Sequence, residues 1–222
     1  MELKEFQKMN KFKIIFYPIL SITILLLSSL SCTNKINSDT VVLLKQYNGL
    51  PKAELDTAKL CIEKFYGLNV QVDLNKEIYK DAYVTIKSPR YRADKIINFQ
   101  KAELNDSIDF VLGLTNKDIS TTKRDKDGNI KKPVYKYEDW GIMGLAYCPG
   151  NSGIVSTFRI KSPNRKIYFT RFKKILVHEF GHNLGLPHCE DKKCVMTDAV
   201  ESVKTIDNAN LALCEKCKSK LE

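Results

Sequence analysis

A chain of 222 residues carries 36 lysines and arginines against 26 acidic residues, a formal charge of +10. The basic residues are scattered, without the aromatic interleaving of a surface for single-stranded nucleic acid, so the charge is assigned to solvation and no nucleic-acid partner is expected. No internal repeat or long low-complexity segment is present, which excludes a repeat array.

Met1 to Ser31 reads as a targeting segment and stands outside the fold. Lys4, Lys8, Lys11 and Lys13 precede the apolar run Ile14 to Leu27, which Pro18, Ser21 and Thr23 interrupt, leaving it short and broken for a transmembrane helix. Met9 offers an alternative start. Leu27-Ser28-Ser29-Leu30-Ser31-Cys32 resembles a bacterial lipoprotein cleavage box with Cys32 as the residue to be acylated, although Ser29 stands where an aliphatic residue is commonest. The expectation is an exported chain, lipid-anchored through Cys32 on the periplasmic or cell-surface side of a bacterial membrane. Loss of residues 1–31 removes four lysines and two glutamates and leaves about +8. Residues 32–40 are a polar tether, and residues 41–222 are enough for one domain with its own core.

Within that domain, Val41 to Leu44 suits a buried strand and Asn48-Gly49-Leu50-Pro51 a turn. Lys52 to Tyr66 has helical spacing, with Leu55, Ala58, Leu60, Cys61 and Phe65 largely on one side and Gly67 as the stop. Leu68, Val70, Val72 and Leu74 alternate with polar residues as a half-buried strand, so the opening predicts a parallel pair joined by a helical crossover. A second helix is predicted from about Tyr91 to Leu104, and a central strand from Ile108 to Thr115. Asp125 to Asn129 invites comparison with a calcium loop, but Gly128 is fourth rather than sixth and Lys136 stands where glutamate is required; a hairpin tip is expected instead. Strands follow near Ile142 to Cys148 and Gly153 to Ile160, with a turn at residues 149–152. A long helix is predicted from Asn164 to Leu184, with Ile167, Phe172, Ile175 and Leu176 for the core, and a last one from about Asp207 to Leu221.

All three histidines of the chain fall in one window, His178-Glu179-Phe180-Gly181-His182-Asn183-Leu184-Gly185-Leu186-Pro187-His188. His178 and His182, four apart on a helix, share a face and can hold one cation. Glu179 lies about 100° further round, beside an open coordination position, where it can take a proton from water. Gly185 permits the left-handed turn that ends the helix, and Pro187 prevents its resumption, so that His188 returns as a third ligand. Three imidazoles leave the fourth position of a tetrahedral zinc to water, the arrangement of a catalytic site.

This pattern followed by a methionine, here Met196, is the metzincin signature. Cysteines extend it: H-E-x-x-H-x-x-G-x-x-H-C-x4-C-x-M-x17-C-x-x-C, with Cys189, Cys194, Cys214 and Cys217, resembles the archaemetzincin family of metallopeptidases at every specified position. The resemblance implies an α/β fold: a single metzincin-like catalytic domain with a mixed sheet, an active-site helix carrying H-E-x-x-H, and a small C-terminal zinc-stapled subdomain. It also implies two zincs per chain, a catalytic one on His178, His182 and His188 with Glu179 as general acid/base, and a structural one on Cys189, Cys194, Cys214 and Cys217. Two short-spaced cysteine pairs can close a tetrahedral thiolate site with no room for water, in agreement.

Of the seven cysteines, Cys61 and Cys148 remain, able to pair or to stay free. Export favours disulfides whereas a thiolate site needs reduced sulfur; the complete register favours zinc. The expected activity is hydrolysis of peptides or proteins by a monomer, the substrate extended along an edge strand near Ile142 to Tyr147 or Gly153 to Phe158. The alternative is a non-catalytic, zinc-stabilised peptide-binding protein on the membrane surface, which would give Glu179 no reason to be acidic. No tyrosine follows Tyr168, so no phenol beyond Met196 can assist an oxyanion.

Overall fold

A computed structural model describes residues 36–198 and 202–221; the targeting segment, Cys32 and the start of the tether lie outside the described residues. Strand β1 (Val41–Tyr47), helix α1 (Lys52–Tyr66) and strand β2 (Asn69–Lys76) form the expected opening, and β1 and β2 pair in parallel. Helix α1 stops at Gly67, whose φ of 71° is open to glycine without strain. It buries Leu55, Ala58, Cys61 and Ile62. Leu60, expected on that side, is 51% exposed because it lies about 200° beyond Ala58.

Next come β3 (Tyr83–Val84), β4 (Arg90–Arg92), α2 (Ala93–Ala102), β5 (Phe110–Thr115), β6 (Ile119–Thr121), the one-turn helix α3 (Val134–Tyr137), β7 (Trp140–Ile142), β8 (Gly144–Ala146) and β9 (Ser152–Ser156). Helix α2 begins later than predicted because Tyr91 and Arg92 are drawn into a ladder with Ile119 and Ser120. The stretch from Asp125 to Asn129 is a hairpin tip: Arg124 bridges Ile130, Gly128 has φ 82°, and Asp125 Oδ1 accepts from the Asn129 amide at 2.9 Å.

The single strand expected over 142–148 is divided at Met143. Ile142 pairs with Ile119 in one sheet, whereas Gly144 pairs with Val155 in another. The larger sheet has the order β2-β1-β5-β9-β8, parallel except for the antiparallel edge strand β8, and the smaller has the order β3-β4-β6-β7 with both senses of pairing.

Alternation along the central strands gives the larger sheet two apolar faces. Val42, Leu44, Leu112, Leu114 and Val155 form one cluster with α1 and with α4 (Arg165–Asn183), while Tyr47 and Ile154 join α2, Ile119 and Ile142 in a second. On the first face, Phe180 meets Tyr66 and Phe110 edge to face at centroid separations of 5.1 and 5.2 Å. Burying each such side chain stabilises by about 1.5–3 kcal/mol, and this packing fixes the depth of α4. Ile167, assigned to the core, is 41% exposed because it sits in the first turn of α4, before the helix reaches the sheet.

The predicted final helix is instead two short ones, α5 (Val203–Asn208) and α6 (Glu215–Lys218). Between them the chain is irregular, because its backbone bonds the preceding loop: the Asn210 amide donates to Lys193 O at 2.8 Å, and Ala212 O accepts from the Val195 amide at 2.9 Å. Val195, Met196, Ile206 and Cys217 belong to the same core cluster as α1 and α4, so this C-terminal segment packs on the main core.

Candidate metal centres and catalytic cleft

Asn164 caps α4, accepting from the Ile167 amide at 3.2 Å. At the other end the Gly185 amide donates to His182 O at 2.8 Å and the Leu186 amide to Gly181 O at 2.9 Å, with Gly185 at φ 91°. That paired closure is a Schellman motif, and it turns the chain so that His188 faces the helix.

The nitrogens that the three histidines can offer lie within 4.8 Å of one another. His178 Nδ1 is 2.9 Å from Val195 O, and His182 Nδ1 is 2.7 Å from Leu186 O. A carbonyl only accepts, so both Nδ1 atoms carry the proton and both Nε2 atoms of the neutral rings present lone pairs. Those two Nε2 atoms are 3.0 Å apart, near the roughly 3.3 Å edge of a tetrahedron with zinc–nitrogen bonds of about 2.0–2.1 Å. Facing lone pairs at this separation fit a shared cation. Burial lowers His178 to about 4 and His182 to about 3, which keeps both rings in the ligating neutral form. His188, the exposed member, has Asp198 Oδ2 3.9 Å from its Nδ1.

Glu179 is buried beside this group, and burial pushes its carboxyl up to about 8. It lines a cleft of about 540 Å³ together with other residues of α4, Trp140, Ile142, the strand β8 and Ile206 of α5. Of the two strands considered, β9 is enclosed between β5 and β8, and β8 is an edge strand among the described residues. Met196 is fully buried, and its Sδ lies 2.6 Å from where a Cβ on Gly181 would stand, so the glycine inside the histidine motif makes room for the methionine.

The four cysteine sulfurs also lie within 4.8 Å of one another. Cys189 and Cys214 are 3.7 Å apart and Cys194 and Cys217 3.8 Å apart, far beyond a disulfide bond. Thiolates about 2.3 Å from a central zinc form a tetrahedron with edges of about 3.8 Å, so the donor set fits that ion. Cys61 and Cys148 are both free. Cys61 is buried, which pushes its thiol up to about 11 and leaves it unreactive.

Two positions escaped the reading of the sequence. Lys174, one turn before His178 on the same helix face, donates from Nζ to Ile206 O at 2.8 Å and Asp207 O at 3.2 Å, pinning α5 at the cleft. Its spacing from His178 was the available signal. Asn183 donates from Nδ2 to Ser152 O at 3.0 Å and Tyr147 O at 3.3 Å, and its main-chain carbonyl accepts from the Gly150 amide at 3.2 Å. It ties the β8–β9 hairpin to the helix that carries the histidines, a role with no local signature.

A family model described as Peptidase family M54 matches residues 66–222. An archaemetzincin from Methanopyrus kandleri is 33% identical over 114 residues, which is 51% of this chain and 56% of that protein; the match spans little more than half of the relative's length. The crystal structure of an archaemetzincin from Archaeoglobus fulgidus complexed with malonate is similar over 81% of this chain and 99% of its own, with 25% identity and a TM-score of 0.64. That of the Methanopyrus kandleri protein is similar over 84% and 96%, with 24% identity and a TM-score of 0.67, a likeness of fold alone.

Proposed function

The chain belongs to peptidase family M54, the archaemetzincins, and on that premise we propose that it is a zinc-dependent peptidase. The observation that carries the proposal is the pair of Nε2 lone pairs, 3.0 Å apart, with the buried Glu179 next in sequence and in the same cleft. His178, His182 and His188 would hold the catalytic ion, and Cys189, Cys194, Cys214 and Cys217 a structural one. Zinc in the first site supplies Lewis acidity, making a water easier to deprotonate and a peptide carbonyl easier to attack.

The chain's own residues do the rest. Glu179 takes the proton from the attacking water and returns it to the leaving amine. The free edge of β8 offers backbone groups to an extended peptide, which gives affinity with little demand on sequence. Lys174 and Asn183 hold the two walls of the cleft in place, through α5 and the β8–β9 hairpin. Residues 1–31 would direct export and Cys32 would carry lipid, a reading supported by the sequence alone.

Incubation of the purified chain with an unbiased peptide library tests the activity. Cleavage abolished by a chelator and restored by zinc is expected; a zinc-loaded chain that cleaves nothing across a range of pH and peptide length would favour a binding protein.

A further inference from the structure

Gly144 lies in β8 in regular antiparallel register, Gly144 with Val155, Leu145 with Ile154 and Ala146 with Gly153. Its φ is not among the positive values of this chain, so the backbone at this position does not call for glycine. What does is the space around it. A Cβ on Gly144 would stand 2.5 Å from Glu179 Cγ, 2.6 Å from Oε1 and 2.7 Å from Cδ, each far inside van der Waals contact. Alternation turns Leu145 to the second apolar cluster and leaves only the small residues Gly144 and Ala146 on the other face of the strand.

We propose that Gly144 is a positioning residue for the reaction: a notch in the edge strand that holds the Glu179 carboxyl between helix α4 and the strand on which substrate would lie. Neither wall can retreat. The strand is held by its ladder with β9 and by Asn183 at Tyr147 and Ser152, and the helix is held by Phe172, Leu176 and Phe180 in the core. A methyl group at residue 144 therefore displaces the glutamate side chain, which supplies the three atoms nearest to it, and leaves the histidines in place.

The inference rests on the peptidase reading, and two measurements separate them. In Gly144→Ala, kcat should fall on the order of a hundredfold, within the range of general acid–base catalysis, with KM and zinc content unchanged. A loss carried by KM, or an unchanged kcat, would overturn the inference, whereas a wild type that cleaves nothing would overturn the peptidase reading instead. The second measurement needs no activity. With Glu179 present, Gly144→Ala should lower the melting temperature of the zinc-loaded chain by about a few degrees. In the Glu179→Ala background the same substitution should leave it unchanged or raise it, because the clash is gone and alanine restricts the unfolded chain. Equal destabilisation in both backgrounds would show that Gly144 answers to something other than Glu179.

Discussion

The Cys189 and Cys214 sulfurs are held 3.7 Å apart, one beside the third histidine and the other at the start of α6. The loop that delivers His188 is thereby joined to the C-terminal segment, and the Cys189 amide adds a bond to Met196 O at 2.8 Å. Metal bound by the four sulfurs contributes folding energy directly. Cys214→Ser should lose one of two zincs and melt at a lower temperature. It should also bind the remaining zinc about ten- to a hundredfold more weakly, by analogy with outer-shell support of a ligand. Zinc titration and melting under reducing conditions check this. Two disulfides among these cysteines in the unreduced protein, with one zinc per chain, would make the cluster a redox staple.

His182→Ala should take the zinc content from two per chain to one while the far-ultraviolet circular dichroism stays native, since alanine favours the helix and Phe172, Leu176 and Phe180 still anchor α4 in the core. A wild type with a single zinc would contradict the two-site assignment.

Gly181→Ala is a test of packing beneath the histidines. Helix propensity alone favours alanine over glycine by about 1 kcal/mol, but here the new Cβ would stand 2.6 Å from Met196 Sδ and 3.1 Å from its Cε. Overpacking of that kind costs about 1–3 kcal/mol, so the net effect should be destabilising. A raised melting temperature would mean that Met196 can move aside.

The histidine motif was legible because its logic is local: spacings of four and six residues, a glycine that can turn and a proline that cannot continue a helix. The smaller sheet was not. Tyr83–Val84, Arg90–Arg92, Ile119–Thr121 and Trp140–Ile142 are too short for alternation to register, and the division at Met143 depends on which partner each half pairs with. The last helix was misread for a related reason. One helix is expected from Asp207 to Leu221, yet the backbone between α5 and α6 bonds the loop that holds Cys194, and Leu211 is 37% exposed. The roles of Asn183 and Gly144 depend on contacts between residues distant in sequence and leave no mark in spacing.

Acid should weaken the docking of α5. Arg171 donates to both carboxylate oxygens of Asp207, at 2.7 and 2.6 Å, and holds that carboxyl below the usual aspartate value. With the folded-state value depressed, the pair's contribution is present above about pH 4, the ordinary aspartate range, and is lost as pH falls through the lower folded value. Asp207 is partly exposed, so the contribution is about 0.2–1 kcal/mol. Asp207→Asn should therefore melt slightly below wild type at pH 7 and approach it in acid; a gap that does not narrow as pH falls below about 4 would contradict this.

That Glu179 moves the proton is tested most directly by comparing wild type and Glu179→Ala, each with its zinc measured, on the same peptide library. Cleavage by wild type and a loss of about a hundredfold or more in the variant, at equal zinc content, is the predicted result. Equal cleavage by both proteins at equal zinc content would contradict it.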